Sequence, residues 1–428
     1  MIKRPFFGFG RPKLKYPVVE DHKKDIIKEI PVPRQVTLFL KHPHSRTGDL
    51  ILKIGDQVRT GQKLRIMEES EDYLISTVTG TVDAISAYIG YLGREYTSIS
   101  IDVDEEDEWD EEFSEAGKTP NPENARRFLE YLPGDPDFAS LLDFQSPVNT
   151  IILYGVDKDL LITTNQLTVK TEIEALTEGV GYLKEITHAG RIIIVVPPHL
   201  TSLAEKTGVE VKTIRSLYPD ALPEIIMKNI LGEVVPQGKS RKEMGVGFIS
   251  AEAVVALTGA FTDGKIPVNK ILTVIKKDHS TVSVRARIGT HVKEILDALH
   301  IETDHGDRIV LGGPMTGNAI YSEDMPVLSD TDAVMVQDKK QVVSNSDTPC
   351  INCGECVRAC PANIPINMLL RLLENGLFEE AAREYDLLSC IECGLCSYVC
   401  TARIPVFHYI MLGKHEFART ESAEDSDV

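Results

Sequence analysis

The sequence has 428 residues, enough for two to four domains that each bury a core, with 42% hydrophobic and 26% charged residues, as in ordinary folded proteins. No stretch approaches the roughly 18 uninterrupted apolar residues of a membrane-spanning helix, so no bilayer span is expected. Its 46 basic and 65 acidic residues leave a net charge of -19, which repels phosphate backbones and argues against a general nucleic-acid binder.

Residues 1–30 read as an N-terminal extension. Its opening, Met1 to Lys15, is basic and aromatic, but Pro5 and glycines stand where a secretory signal carries an apolar stretch, so export by that route is not expected. Residues 31–102 read as short strands broken by turns, over Gln35 to Leu40, Leu50 to Gln62 and Ser76 to Ile85. The run Ile54-Gly55-Asp56-x-Val58-x-x-Gly61-Gln62, followed by Gly80-x-Val82, resembles the lipoyl/biotinyl carrier β-sandwich. A carrier presents a modifiable lysine on the hairpin between its halves. Here that hairpin reads Glu68-Glu-Ser-Glu-Asp-Tyr-Leu-Ile75, so an unmodified structural module is expected.

Residues 103–147 read as an acidic linker and connecting helix, and 413–428 as an acidic tail. Like charges repel in the runs Asp102 to Glu112 and Glu421 to Asp427, which favours a solvated linker and a frayed end. In residues 148–275, Thr150 to Gly155 and Arg191 to Pro197 are continuous apolar runs of the kind buried on both faces of a parallel sheet. Between them Thr171 to Glu185 has helical spacing, with Ile173, Leu176, Val180 and Leu183 on one side, which predicts a doubly wound α/β core. Residues 276–335 read as a small α+β module: strand Val282 to Arg287, helix Val292 to Leu299, strand Arg308 to Leu311, then the turn Gly312 to Gly317. The whole is a multidomain α/β and α+β chain.

All eight cysteines fall in residues 345–412, in two runs. Cys350-Ile-Asn-Cys353-Gly-Glu-Cys356-Val-Arg-Ala-Cys360 and Cys390-Ile-Glu-Cys393-Gly-Leu-Cys396-Ser-Tyr-Val-Cys400 each read C-x2-C-x2-C-x3-C, the dicluster spacing in which three thiolates grip one 4Fe-4S cluster and the fourth reaches the other. This assigns Cys350, Cys353, Cys356 and Cys400 to one cluster, and Cys390, Cys393, Cys396 and Cys360 to its neighbour. Disulfides suit small exported domains, and zinc sites commonly use cysteine pairs, so neither explains a repeated trio plus one. Gly354 and Gly394 permit tight turns with amides near the sulfurs, while Thr401 stands where proline usually follows the last cysteine. The 29 residues between Cys360 and Cys390 require intervening helices over Asn367 to Leu388, with their Leu and Ile side chains in a core, which predicts an α-helical dicluster ferredoxin domain. His42 and His44 show no comparable ligand spacing and read as surface residues.

The order of these modules resembles the C subunit of the Rnf complex (RnfC-like), the peripheral subunit of a membrane-bound, ion-pumping electron-transfer assembly. The resemblance rests on the Gly55 to Gln62 sandwich, the strand opening at Val148, the Gly312-Gly313-Pro314-Met315-Thr316-Gly317 turn and both cysteine runs. It implies a β-grasp (SLBB-like) module over 276–335, and FMN and NADH in the α/β domain, held by a loop of the type G-x-G-G-A-G-F-P-T. Arg127 to Ser140, where that loop belongs, carries the single glycine Gly134. The family's N-G-A-E-C-E-P-Y segment is replaced by Tyr154-Gly155-Val156-Asp157-Lys158-Asp159-Leu160-Leu161, leaving Gly155 and Asp157 as a residual flavin-type pair or as a strand-end turn. The expected role is an electron-transfer component, peripheral on the cytoplasmic side of the membrane. No catalytic residue is assigned, and two 4Fe-4S clusters relay single electrons between integral-membrane and other Rnf-like subunits and a redox protein. The alternatives are a flavin-dependent NADH dehydrogenase subunit with a diverged nucleotide site, and an iron–sulfur subunit of another quinone-linked membrane complex.

Overall fold

The computed structural model describes residues 12–19, 27–40, 51–67 and 72–426. The basic N-terminal opening, His42, His44 and the acidic hairpin tip at 68–71 lie outside the described residues. The chain divides into two compact units, one formed by Met1–Lys15, Leu217–Ser240 and Lys340–Val428, the other by Tyr16–Ser216 and Arg241–Lys339. The α/β segment is therefore interrupted, since Leu217–Ser240 belongs with the cysteine unit.

The larger unit begins with an antiparallel sheet in the order Gln35–Leu40, Glu95–Val103, Gly80–Ile89 and Gln57–Val58, beside a ribbon of Lys63–Arg65 and Tyr73–Ile75. Alternation puts Val36, Leu38, Leu40, Val82, Ile99 and Ile101 into one core. Of the strand expected over Leu50 to Gln62, Gln57–Val58 forms a strand and Thr60 a single bridge to Trp109, because Gly55 and Gly61 turn the chain with φ of 93° and 83°. The acidic run after this sheet is solvent-exposed over most of its length, as expected, but is tied to the sheet at Asp107 and Glu108. Thr60 donates from its hydroxyl to the Asp107 carboxylate, Arg287 lies 3.2 Å from the same carboxylate, and the Glu108 amide donates to the Thr79 hydroxyl at 2.8 Å. Partners for Asp107 offset the repulsion that composition alone suggests.

The next sheet is wholly parallel, in the order Glu210–Thr213, Arg191–Val196, Thr150–Tyr154 and Val246–Ser250. Its apolar strands are covered on both faces, with Ile151, Ile152 and Leu153 fully buried. The covering helices include Thr164–Thr171, Ile173–Thr187 and Ala251–Asp263; the single helix expected over Thr171 to Glu185 is thus the second of a pair that breaks at Glu172. The first three strands run outward in chain order and the fourth joins on the other side of the first, so the sheet reverses between Thr150–Tyr154 and Val246–Ser250. Ligands of such sheets bind beyond the strands' carboxyl ends at that reversal.

The third sheet is mixed, in the order Lys28–Glu29, Thr281–Arg287, Asn269–Ile275, Ala333–Gln337, Arg308–Leu311 and Asn318–Ile320. Asn269–Ile275 pairs here and not in the parallel sheet, which corrects a boundary drawn at residue 275, and the N-terminal extension supplies an edge strand. Helix Val292–Ala298 lays Val292, Ile295 and Leu296 on its core. The Asp159 carboxylate accepts from the amide and hydroxyl of Thr316 at 2.8 and 2.7 Å, which anchors the glycine-rich turn to the segment after the first parallel strand.

One ion cluster is buried in this unit. Lys270, with no exposure, donates to Glu252 and lies 3.0 Å from Asp332. Burial alone pushes an ammonium towards neutrality, but the two carboxylates outweigh it and raise the Lys270 pKa. Removing the cation leaves buried carboxylate charge uncompensated. We expect Lys270→Met to cost about 3–5 kcal/mol in urea unfolding and a Lys270→Met/Glu252→Met double variant to recover part of it; a loss within error of zero contradicts the paired-charge reading.

Candidate metal centre

The cysteine unit is a helical duplication with an offset of forty residues, the separation of Cys350 from Cys390. Helices Glu355–Ala359 and Leu395–Val399 follow the first two cysteines of each run, and Ile366–Glu374 and Val406–Ser426 follow the fourth. Positive φ recurs at matched positions: 53° and 55° at Asn352 and Glu392, 75° and 67° at Gly354 and Gly394, 59° and 58° at Asn363 and Arg403. Pro365 and Pro405 stand just before the longer helices of each half. Helices Ile366–Glu374 and Phe378–Glu384 occupy the stretch between the runs, and Leu369, Leu370 and Leu373 are core residues, as their spacing suggests. The last helix, Val406–Ser426, extends into the acidic tail expected to fray.

All eight cysteines are free thiols. Burial pushes the Cys356 thiol up to about 11, and Cys353, Cys350 and Cys400 add like charge. Burial likewise pushes Cys390 up to about 11 and Cys393 up to about 12, with Cys360 among the charges acting on both. Cys400 thus acts on Cys356, and Cys360 on Cys390 and Cys393. Cys396, raised by burial, feels Cys390, Cys393 and also Cys356, so the two sets adjoin.

The donor set fits a pair of 4Fe-4S clusters. Its chemistry is that of eight soft thiols, although among the described residues no three of them stand close enough to hold a single metal ion; backbone amides of Glu392 and Ile404 donate to Cys390 Sγ and Cys400 Sγ, each at 3.4 Å. Thiols held neutral by burial must lose their protons on ligation, so cluster uptake releases protons. Three supports had no signal in the spacing. Tyr218, from the inserted segment, donates to the Cys393 carbonyl at 2.6 Å; Gln237 donates to the Ala382 carbonyl at 2.5 Å; Lys414 donates at 2.7 Å to both the Cys390 carbonyl and Glu392.

At the reversal of the parallel sheet, Gly155 and Asp157 are engaged by the protein itself. A Cβ on Gly155 would stand 2.7 Å from Val196 and 3.0 Å from Val169, so close packing requires glycine there. Asp157 is 2% exposed and accepts from the Asn165 amide at 2.8 Å and the Gln166 side chain at 3.0 Å, at the start of helix Thr164–Thr171. The start of helix Ala251–Asp263 is also capped, by Ser250 Oγ accepting from the Ala253 amide and by Asn165 Oδ1 accepting from the Ala251 amide, both at 3.1 Å. Arg127 to Ser140, in the place of a glycine loop, buries Phe128, Leu129, Leu132 and Phe138 as core. Helix amides that elsewhere cradle phosphate therefore already have partners.

Two family models match the chain: the RnfC barrel sandwich hybrid domain over residues 18–106 and a 4Fe-4S dicluster domain over residues 342–401. The chain is 26% identical over 391 residues to the C subunit of the ion-translocating oxidoreductase complex of Edwardsiella ictaluri, covering 84% of this chain and 48% of that one. It is 24% identical over 389 residues to the C subunit of the proton-translocating ferredoxin:NAD(+) oxidoreductase complex of Clostridium ljungdahlii, covering 85% of this chain and 84% of that one. The chain thus spans about half the length of the first of these relatives. Among solved structures, an NAD+-reducing NiFe-hydrogenase in the H2-reduced state aligns with a TM-score of 0.46 at 12% identity, over 70% of this chain and 62% of that one.

Burial, opposed by the two hydrogen bonds, pushes Asp157 up to about 7. A carboxyl raised on folding stabilises below its ordinary value and loses that contribution as the pH climbs through the folded value. Relative to Asp157→Asn, the unsubstituted protein should lose thermal stability between about pH 4 and about pH 7 and then level off; a constant difference across that range contradicts the assignment.

Proposed function

Because the chain is RnfC-like, we propose that it is a peripheral electron-transfer subunit of an Rnf-type membrane complex, passing single electrons between protein partners through two 4Fe-4S clusters and without a flavin of its own. Cys350, Cys353, Cys356 and Cys400 hold one cluster, and Cys390, Cys393, Cys396 and Cys360 the other. Each cluster, when bound, supplies a one-electron couple whose potential the surrounding hydrogen bonds and burial set. The protein's part is to fix the thiolates, aim amides at their sulfurs and shield the inner set from water.

The observation that supports this reading is the pair of C-x2-C-x2-C-x3-C runs inside residues 342–401, the region that the 4Fe-4S dicluster domain model matches. In such a spacing the fourth thiolate of each run reaches the other cluster, which brings the two clusters together as a relay needs. The absence of a flavin step is supported by the capped helix starts at the sheet reversal and by the core residues that fill the position of the glycine loop. No described helix is long and apolar enough to cross a membrane. In this reading the protein is held at the cytoplasmic side of the membrane by integral-membrane partner subunits, and exchanges electrons with a redox protein.

A second reading, an NADH-oxidising flavin subunit with a diverged site, draws on the ferredoxin:NAD(+) activity in the name of the Clostridium relative. Iron, acid-labile sulfide and released flavin measured on anaerobically prepared protein separate the two. The relay predicts about eight iron and eight sulfide per chain with no stoichiometric flavin, whereas one flavin per chain reducible by NADH would contradict it.

A further inference from the structure

The two halves of the cysteine unit repeat closely in backbone angle, and against that background one chemical difference lies beside a ligand sulfur. Thr401 Oγ1 is 3.6 Å from Cys353 Sγ. The residue matched to Thr401 forty positions earlier is Pro361, which has neither a hydroxyl nor an N–H to offer. A ligating Cys353 is a thiolate and can only accept, so the Thr401 hydroxyl donates.

Burial differs in the same sense. Cys350, Cys353, Cys356 and Cys400 are all partly exposed, whereas in the other set only Cys390 is, and Cys360, Cys393 and Cys396 are buried. Ile351, between the first two ligands, is 55% exposed. Reduction adds one negative charge, shared with the ligand sulfurs; a donated hydrogen bond and access to water favour it, and burial opposes it. The second set has a cation nearby, Lys414, paired with Glu392 at 2.7 Å, which offsets part of its field at Cys390.

Resting on the two-cluster reading above, we infer that Thr401 tunes the relay: it makes the Cys350, Cys353, Cys356 and Cys400 cluster the higher-potential, outward-facing member. The Cys390, Cys393, Cys396 and Cys360 cluster is then the inner, lower-potential member. Electrons leave the chain downhill through the first set or must be driven uphill to enter by it.

The test is redox titration of the full chain, reconstituted anaerobically and followed by electron paramagnetic resonance. The unsubstituted protein should show two midpoint potentials. Thr401→Val, which keeps the shape and removes the hydroxyl, should lower the higher one alone, changing the reduced-to-oxidised ratio at a fixed applied potential by about threefold to tenfold. Thr401→Ser should restore it. Thr401 is on the surface, so the substitution leaves the core intact. Two clusters whose potentials ignore Thr401→Val, or a shift confined to the lower potential, overturn this inference and leave the relay standing. A chain that takes up fewer than two clusters overturns both.

Discussion

Four thiols drawn from two separate runs can share one cluster only if the loops that carry them are pressed together, and the core of the cysteine unit supplies that pressure. Ile366, Leu369 and Leu373 on one helix and Val406, Ile410 and Phe417 on its counterpart share one cluster of buried side chains. Burying each of these is worth about 1.5–3 kcal/mol, enough jointly to oppose the cost of gathering eight thiols into a low-dielectric site. Cys360 and Cys400 end the short helices with extended backbone, ψ of 120° and 111°, so each fourth thiol stands where its own run stops and the chain leaves.

The larger unit shows the complementary case of a site filled from within. The parallel sheet retains the reversal at which nucleotides bind in such folds, yet the helix starts facing it are satisfied by Asp157, Ser250 and Asn165. Glu252, in the first turn of the helix that Ser250 caps, is tied to the buried Lys270 instead of facing a ligand. A segment rich in Phe and Leu occupies the place of the glycine loop. The amides at these helix starts thus have partners within the chain.

What the sequence made legible follows from how local each signal is. The cysteine spacing is a local code, so the dicluster domain follows from two short runs, in agreement with the 4Fe-4S dicluster domain model over residues 342–401. The apolar strands Thr150–Tyr154 and Arg191–Val196, and the strand Arg308–Leu311, are likewise bounded by nearby turn residues. Val246–Ser250, interrupted by Gly247, is not among the expected strands, and pairing with Thr150–Tyr154 makes it one. Lys270 resembles any lysine near a strand start until Glu252 and Asp332 close on it from elsewhere in the chain. Tyr218 reaches Cys393 across 175 positions, and Asp107 becomes a docking residue only through Thr60 and Arg287. Long-range partners of this kind leave no periodicity to read.

The central claim is that the two ligand sets hold clusters close enough to act as one relay. Electron paramagnetic resonance of the fully reduced, anaerobically reconstituted chain tests it directly. The account predicts a spectrum broadened by interaction between neighbouring spins that integrates to about two spins per chain, whereas sharp, non-interacting signals, or about one spin per chain, contradict it.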